Sequence, residues 1–305
     1  RSMYTFGIKH TTADNMTTML QGSQVGPTPT FFFDYSVKDL RRDITCCPFQ
    51  WTKGVQTLQS FKSWSFGKLR YEWTNRMIPT GNDDGINRQY MRYADIVLMR
   101  AELENELNGA SAAVPYLTKI RNRAFATSDR ATEVTAYVAE AALSKEKMFQ
   151  AIVDERAYEF AGELIRKADL IRWGMLKSKM DETKNKMKAI VSLTDYDSKH
   201  PYSQLSGHAY YKMSAYTWTR NGIETTEKDA KLNLYGLNYG EMDINPEGYT
   251  EFSDSKGEAS TWIKDNALED VIDYLYVRDP DKYQYWPIFN VNLNDNPNLS
   301  NYEWY

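Results

Sequence analysis

Two stretches in the middle of the chain repeat apolar residues at steps of three and four, and this spacing constrains the fold more than any other feature of the sequence. In the first stretch, which runs from Arg92 to Asn108, the repeated positions are Ile96, Met99, Leu103 and Leu107. In the second, which begins near Ser144, they are Phe149, Ile152, Val153 and Phe160, and Arg156 falls on the same stripe. This spacing places side chains on one face of an α-helix, so we predict a long helix in each stretch.

Each predicted helix has a second helix after it. Asn108-Gly109 ends the first helix and Ser111 is the predicted N-cap of the next, with Pro115 tolerated in its first turn. Its apolar face holds Val114, Leu117, Ile120 and Ala124. After a linker and the helix capped by Ser144, a fourth helix is predicted over residues 163–176, with Leu164, Ala168, Ile171 and Leu176 facing inward. Each pair spans roughly 34 residues, the length of a tetratricopeptide repeat.

The flanking segments lack this periodicity. Glycine and proline punctuate residues 1–91, and Tyr, Asn, Gly and Ser crowd residues 195–260. We therefore predict loops with a few short strands in both, a short helix at about 260–276, and an extended tail. The predicted fold class is mainly α: one domain over 1–305, with tetratricopeptide-like helix pairs at 92–177 between loop-rich, aromatic-rich segments at 1–91 and 178–305.

Composition excludes several classes of protein. The formal net charge of −4 provides no basic excess for nucleic acid. The 42 aromatic residues (8 Trp, 22 Tyr and 12 Phe) argue against intrinsic disorder. No apolar run approaches 18 residues, so no transmembrane helix is expected. The two cysteines, Cys46 and Cys47, are adjacent and are interpreted as packed thiols. The first residues do not form a signal peptide, so any export signal or lipid-attachment cysteine would lie upstream.

Motifs for catalysis or cofactor binding are not found in the sequence. The three histidines, His10, His200 and His208, follow no metal-ligand spacing, and there is no nucleophile elbow or phosphate-binding loop. No cofactor and no metal site is therefore predicted. Residues 82–85 and 243–246 carry oxygen ligands of the type that Ca²⁺ prefers, but neither completes an EF-hand. We interpret them as turns, with a structural Ca²⁺ as the alternative.

A dense group of charges occupies the third and fourth predicted helices. Its members are Arg156, Glu159, Glu163, Arg166, Asp169 and Arg172. Arg156 can reach Glu159, and Arg172 can reach Asp169, across one helical turn. Arg156 lies on an apolar face, where an unpaired charge would be very costly. The group is either an anion-binding or catalytic site or a structural charge network, and we favour the network.

Three ordered blocks resemble one family. Residues 92–102, RYADIVLMRAE, resemble the RYADVLLMYAEA helix of the SusD/RagB family, and residues 108–124 match the segment that follows it. Residues 155–174 resemble that family's ER-x-x-EF-x-x-E-x-x-R-x-x-DLIRWG block. Residues 286–302 resemble its C-terminal tail, with Phe289 and Ser300 replacing the usual Pro and Gln. The chain thus resembles the C-terminal half of a SusD-like protein.

The resemblance implies a binding protein rather than an enzyme. SusD-like proteins are lipid-anchored on the outer face of the outer membrane of Bacteroidetes, bind oligo- or polysaccharides, and cover a SusC-like TonB-dependent transporter. The resemblance therefore implies an outer-membrane, extracellular location, peripheral attachment through a lipid anchor outside this chain, and a glycan and the transporter as partners. It assigns the family's motif residues to the scaffold.

Aromatic residues in the loops suggest independently where a glycan would bind. The C–H face of a sugar stacks on Trp or Tyr, and polar side chains reach its hydroxyls. Loops held by a rigid scaffold commonly carry such sites. The segments 51–73 and 196–218 have this mixture. The predicted stacking residues are Trp51, Trp64, Trp73, Tyr210, Tyr216 and Trp218.

Two other functions remain open at the level of sequence. A helical-repeat adaptor for a protein or peptide would use a concave helical face and keep the aromatic residues inside. A glycoside hydrolase would place two carboxylates across a cleft. The missing catalytic motif and the family resemblance both disfavour the hydrolase.

Overall fold

The structure is a computed structural model of the 305-residue chain. It describes residues 5–11, 22–52, 55–74, 78, 85–87, 89–212, 217–219, 222–224, 233–242, 244–252, 262–263, 267–285 and 287–301. Helices dominate the middle of the chain. They are α1 (Pro29–Asp34), α2 (Arg42–Thr45), α3 (Tyr93–Asn108), α4 (Ala110–Ala124), α5 (Tyr137–Ala141), α6 (Lys145–Phe160), α7 (Arg166–Arg172), α8 (Leu176–Val191), α9 (Ala267–Tyr274) and α10 (Asn290–Asp295). The predicted fold class, mainly α with few short strands, is confirmed.

The strands are short and form small antiparallel sheets. They are β1 (Cys46–Cys47), β2 (Phe49–Thr52), β3 (Val55–Leu58), β4 (Ser65–Phe66), β5 (Tyr210–Lys212), β6 (Thr217–Thr219), β7 (Gly222–Glu224), β8 (Asn233–Tyr235) and β9 (Thr250–Glu251). β1 pairs with β4, β2 with β3, and β6 with β7, while β5 lies between β8 and β9. Cys46 and Cys47 are both buried free thiols, as expected for packed thiols.

Helix ends follow local chemistry, with one correction. The backbone N–H of Lys147 donates to the Ser144 hydroxyl at 3.2 Å, which confirms Ser144 as the N-cap of α6. The predicted cap at Ser111 is wrong, because α4 begins at Ala110 and Gly109 is its N-cap. Gly109 has φ +87°, a conformation that L side chains rarely adopt, and so permits the tight reversal from α3 to α4. Pro115 consequently lies inside α4 rather than in its first turn.

Helix α3 buries a different face from the one predicted. Ile96, Leu103 and Leu107 are 47%, 54% and 76% exposed. The buried apolar residues of α3 are Ala94, Val97, Leu98 and Ala101. Both sets recur at helical spacing, but the second contains alanines, and small side chains let neighbouring helices pack closely. The inner face of α3 is therefore the alanine-containing one, and the larger aliphatic side chains point to solvent.

The predicted linker after α4 is also helical. Residues 127–129 form a 3₁₀ turn, and Ala131–Ala136 form a π-helix that continues into α5. Val134, Val138 and Ala141 are buried against the helical core, so this segment closes the scaffold rather than merely connecting two helix pairs.

The fourth predicted helix is two helices. Gly162 and Leu164 have φ angles of +78° and +65°, and these angles interrupt the helical conformation after α6. The short α7 follows, and α8 continues to Val191, beyond the predicted end of the helical region at 177. Leu164 and Ala168 are exposed rather than inward, whereas Leu170 and Leu176 are buried.

Two large hydrophobic clusters and one small one form the interior of the described residues. The scaffold cluster joins α3, α4, α5 and α6 around Leu98, Leu117, Ile120 and Ile152. The aromatic cluster joins α1, α8, the segment 202–209 and residues 262–263, and is centred on Phe33, Trp64, Tyr202 and Trp262. The small cluster surrounds Ile8, Phe49, Trp51 and Tyr71.

Ion pairs link the scaffold to the preceding segment. Arg156 pairs with Asp169 and Asp95, each at 2.7 Å, instead of with Glu159 one turn away. Glu159 binds Arg41 and Arg92 at 2.9 and 2.6 Å. The Arg156 side chain on the apolar face of α6 thus has two buried carboxylate partners on other helices. Without these partners, its buried charge would be strongly destabilising.

The remaining members of the charge group have separate partners. Glu163 accepts hydrogen bonds from Lys68 and Arg92. Arg172 pairs with Asp169 at 3.1 Å across one turn, as predicted, and also binds Glu102. Arg166 differs from the others, since its Nη1 donates to the Val153 carbonyl at 2.8 Å. The group therefore contains several structural ion pairs and one arginine with a different environment.

Candidate functional site

Three of the four predicted stacking residues whose side chains the structure describes do not present a ring to solvent. Trp51, Trp64 and Tyr210 are buried, with exposed fractions of 0%, 2% and 4%. Trp51 packs edge-on against Phe49, and Trp64 stacks on Trp262 with centroids 5.5 Å apart. The prediction of exposed stacking for these three is wrong, because Trp51 packs in the small cluster, Trp64 packs in the aromatic cluster, and Tyr210 is buried beside Tyr235.

The other predicted stacking residues are differently placed. Trp73 ends a 3₁₀ turn over Tyr71–Trp73, is 57% exposed, and has the Arg70 guanidinium 4.8 Å from its ring centroid. Tyr216 lies outside the described residues, and Trp218 is in β6, where only the backbone is described. Sugar stacking by these three stays a prediction.

A large cleft lies elsewhere, between the scaffold and the aromatic cluster. Its volume is about 850 Å³. Helices α1, α6, α7 and α8 and the segments 197–200 and 237–239 line it. The side chains that the following argument uses are Phe31, Asp34, Tyr35, Gln150, Asp154, Tyr158, Arg166, Lys179, Glu182, Lys186, Asp197, Lys199, His200 and Tyr239. Because volumes of this size are typical of sites for small ligands, this cleft is the candidate site.

On the scaffold side, the cleft is lined by residues that recur at helical spacing on α6 and α8. On α6, Gln150, Asp154 and Tyr158 recur every four residues and so share one face. On α8, Lys179, Glu182 and Lys186 recur at three and four. On α6 the opposite face carries core residues such as Ile152, whereas on α8 the core residue Ile190 follows Lys186 by four residues and so continues the same face into the aromatic cluster. Polar side chains of α6 and α8 thus supply one wall of the cleft.

Helix α1 supplies the aromatic wall. The run 30–35 begins directly after Pro29, which occupies the first helical turn, so it forms a helix rather than a strand. Tyr35 and Tyr158 pack with ring centroids 4.8 Å apart, and Phe31 lies 5.1 Å from Tyr35. Burial raises the pKa of both tyrosines well above the ordinary value. Both phenols are therefore neutral donors at physiological pH.

Backbone carbonyls fix the two phenols in place. The Tyr35 hydroxyl donates to the Tyr158 carbonyl, and the Tyr158 hydroxyl donates to the Asp34 carbonyl, both at 2.8 Å. The two rings thus tie α1 to α6 reciprocally. An aromatic surface held at both ends in this way is preorganised, which reduces the entropy lost when a ligand binds.

A chain of charges borders the aromatic wall. The Asp34 carboxylate accepts from Lys186 at 2.7 Å and contacts His200 Nε2 at 2.9 Å. His200 Nδ1 lies 2.7 Å from Asp197. Carboxylates only accept, so both contacts of His200 are hydrogen bonds only when both ring nitrogens carry protons. Burial of Lys186 disfavours its charge, but the charges of Asp34 and Glu182 and the hydrogen bonds to them together outweigh this and raise the pKa of Lys186.

The part of the cleft beside α7 contains two charged side chains, Asp154 and Arg166, that make fewer hydrogen bonds within the protein than the charges described above. Asp154 accepts from Gln150 at 2.7 Å, and burial raises the pKa of Asp154 against the opposing charges of Lys179 and Arg166. Burial likewise lowers the pKa of Arg166, against the charges of Asp154 and Asp169. This end of the cleft thus holds half-buried polar groups that are only partly satisfied by the protein.

Sequence reasoning missed this cleft for a physical reason. Its residues come from four helices and two loops that are far apart in sequence, and Asp154 and Tyr158 looked like the polar face of an ordinary scaffold helix. The available signal was the aromatic run 31–35 directly after Pro29, which combines a helix start with three consecutive Phe residues.

Metal and membrane features can be assessed for the described residues only. Among them, no three His, Cys, Asp or Glu side chains come together as a metal site. The residues 82–84 and 243, considered above for Ca²⁺, lie outside the described part. The described helices include none whose length and apolar character would let it span a membrane.

Comparison with known proteins identifies the family. The model of the SusD family matches residues 57–305. The chain belongs to the SusD family. The resemblance deduced from the three sequence blocks is therefore confirmed. This SusD family chain is also 48% identical, over 90 residues, to the SusD-like protein P25 of Formosa agariphila, which covers 30% of this chain and 16% of that protein.

A solved structure supports the fold. The crystal structure of a SusD homolog from Bacteroides thetaiotaomicron matches with a TM-score of 0.53 and 21% identity. The match covers 64% of this chain and 41% of that one. The SusD family chain thus spans less than half the length of these two relatives in the regions that match, and at this identity the likeness concerns the fold alone.

Proposed function

We propose that this chain binds an oligosaccharide at the bacterial cell surface without catalysing a reaction, and that the cleft between α1, α6 and α8 is its binding site. The observation that carries the proposal is the combination of an 850 Å³ cleft with an aromatic wall and a charged border. Phe31, Tyr35 and Tyr158 offer ring surface for the C–H face of a sugar, and Gln150 and Lys199 offer polar groups for its hydroxyls. Membership of the SusD family supports the same function.

The arrangement of carboxylates supports binding rather than hydrolysis. A glycoside hydrolase needs two carboxyl groups free to exchange protons or attack across the scissile bond. Of the described carboxylates that line the cleft, Asp34 and Asp197 both hold His200, and Glu182 holds Lys179 and Lys186. Asp154 therefore faces no unpaired carboxylate partner among them.

Location and transporter partner follow from the family. We infer that the full protein is a lipid-anchored outer-membrane protein exposed to the exterior, and that it delivers its glycan to a SusC-like TonB-dependent transporter. Family membership supports both statements. Coexpression with a SusC-like transporter and affinity purification of the pair would test them. Repeated failure to recover a complex would contradict the proposed partner.

The test of glycan binding is calorimetric titration with a panel of neutral and acidic oligosaccharides. We expect binding by the intact chain and weakening on Phe31→Ala, which removes a half-buried ring of the cleft. Trp73→Ala is the matched aromatic variant outside the cleft. If Trp73→Ala abolishes binding and Phe31→Ala does not, the site is the loop predicted from sequence. If no oligosaccharide binds, the proposed function is wrong.

One observation favours a second function, the adaptor for a protein partner. Tyr93, Ile96, Leu103 and Leu107 form an exposed apolar stripe along α3, at spacings of three, seven and four residues. Such a stripe is typical of helical faces that bind another helix. Ile96→Asp combined with Leu103→Asp would abolish an adaptor function and leave oligosaccharide binding unchanged.

A further inference from the structure

Arg166 is the group in the cleft whose chemistry is least accounted for. Its guanidinium carries five N–H donors, and its Nη1 donates to the Val153 carbonyl at 2.8 Å. Within the described residues Arg166 makes no ion pair. Two neighbouring cations of the cleft are paired: Lys179 binds Glu182, and Lys186 binds Glu182 and Asp34, all at 2.7 Å. Most donors of Arg166 thus remain for another partner.

Burial makes this arrangement unfavourable in the absence of a ligand. Arg166 is half-buried at the first residue of α7, and burial lowers its pKa, although Asp154 and Asp169 oppose this effect. A half-buried cation without a hydrogen-bonded anion loses part of its hydration, and the Val153 carbonyl replaces only one of the lost hydrogen bonds. A cleft that holds such a group is arranged to receive an anion or a strong acceptor.

The charge of the cleft points in the same direction. Five Lys and Arg side chains line it among the described residues, namely Arg42, Arg166, Lys179, Lys186 and Lys199, against the four acidic side chains of Asp34, Asp154, Glu182 and Asp197. The whole chain carries a formal charge of −4. The cleft is therefore more basic than the protein around it, and the cation with the most unsatisfied donors is an arginine, whose planar fork matches an oxyanion.

We propose that Arg166 binds an oxyanion group, a carboxylate or a sulfate ester, on an acidic oligosaccharide lodged in the cleft. The inference rests on the proposed function and adds the chemical class of its ligand. Lys179 lies close enough for its charge to act on Asp154 together with that of Arg166, so a second cation, paired with Glu182, stands at the same end. The aromatic wall at α1 then holds the sugar rings, while Arg166 fixes the charged substituent.

The test is calorimetry with three oligosaccharides of equal length: an oligogalacturonate, a sulfated galacto-oligosaccharide and a neutral galacto-oligosaccharide. We expect at least one acidic ligand to bind about 10-fold or more tightly than the neutral one, because charge-assisted hydrogen bonds are stronger than neutral ones. Added salt should reduce the difference in affinity between the acidic and the neutral ligands. The two acidic ligands distinguish a carboxylate from a sulfate ester.

Four variants locate the effect. Arg166→Gln should weaken acidic binding about 10- to 100-fold and should weaken neutral binding far less. Arg166→Lys should retain part of the preference, because it keeps the charge and loses the fork. Asp154→Asn should strengthen acidic binding, since it removes the carboxylate that acts on Arg166. Lys167→Gln, an exposed neighbour with the same change of charge, should have no comparable effect.

The outcomes separate this inference from the proposed function. If a neutral oligosaccharide binds as tightly as the acidic ones and Arg166→Gln changes neither, the inference is overturned while glycan binding stands. If none of a broad panel binds, both are overturned. If Arg166→Gln fails to fold, the opposite effects expected of Arg166→Lys and Asp154→Asn decide the matter, and equal or absent effects of these two would reject the assignment.

Discussion

Glu155 is the residue on which the joint between the scaffold and the preceding segment depends most. Its side chain is fully buried and binds Arg41 at 2.7 Å and Arg121 at 2.8 Å. Arg41 belongs to the segment before α2, and Arg121 to α4. One carboxylate on α6 thus pairs with two guanidinium groups from two other parts of the chain.

We expect Glu155→Gln to lower the free energy of unfolding by about 3 kcal/mol, because it leaves two largely buried arginines without their shared anion. Urea denaturation followed by circular dichroism measures this. The control is Glu140→Gln, which removes an exposed pair with Lys147 and should cost less than about 1 kcal/mol. Equal losses in the two variants would contradict the role assigned to Glu155.

Glu159 should make the free energy of unfolding depend on pH in the acidic range. Burial disfavours the Glu159 carboxylate, but hydrogen bonds from Arg92 and the charge of Arg41 outweigh this and hold its pKa below the ordinary value. The unfolded state then binds the proton more readily, so the stabilisation is complete above an unfolded pKa of roughly 4.3 and is lost as the pH falls through the folded pKa. The stability difference between the wild type and Glu159→Gln should shrink between about pH 7 and about pH 3. A difference that stays constant would show that the carboxylate charge is not the cause.

At the scale of single elements, the N-terminus of α6 can be tested against that of α4. Ser144→Ala should destabilise by about 1 kcal/mol, because it leaves the Lys147 N–H without its cap. Ser111→Ala should be neutral or stabilise by a few tenths of a kcal/mol, since Ser111 is an exposed residue within α4 and alanine is the better helix former. Thermal unfolding of both variants checks this, and a loss at Ser111 equal to that at Ser144 would restore the cap predicted from the sequence.

The elements also show what the sequence could and could not predict. The presence of α3, α4 and α6 followed from periodicity, since helical spacing is a local property that the chain carries in itself. The buried face of α3 did not, because Ile96, Leu103 and Leu107 repeat at the same period as Ala94, Val97 and Leu98, and only the neighbouring helices decide between them. The π-helix at 131–136 and the break at Gly162 and Leu164 likewise depend on packing beyond their own segment.

The candidate site was still less predictable than the helices. Trp51 and Trp64 are residues of the type that stacks on sugars, but residue type does not distinguish an exposed ring from a buried one. The contact between Tyr35, at the end of α1, and Tyr158 of α6 joins residues 123 positions apart. A single sequence contains no signal for such a pair, whereas the charge group at 156–172 was visible because its members are close in sequence.

In the molecule as a whole, the cleft lies between helix α6 and the border of the aromatic cluster. Gln150 and Asp154 project from α6, whose other face packs in the scaffold cluster, and Phe31, Tyr158 and Tyr239 belong to the border of the aromatic cluster. Lys186 and His200 reach across to Asp34. A ligand held in the cleft therefore contacts α6 and the aromatic cluster at once and should couple their local stabilities.

We accordingly expect a bound oligosaccharide to slow amide hydrogen exchange in α1, in the cleft-lining part of α8 and at residues 237–239 together. At a ligand concentration of 100 Kd the stabilisation should approach 2.7 kcal/mol for amides that exchange only from the unbound form. Helix α4, which does not line the cleft, is the internal reference for amides that open locally, and its change should be smaller. Exchange measured by mass spectrometry with and without ligand tests this. Protection confined to the turn at Tyr71–Trp73 would place the ligand on Trp73 instead, and protection of only one wall would show that the ligand does not bridge the two walls of the cleft.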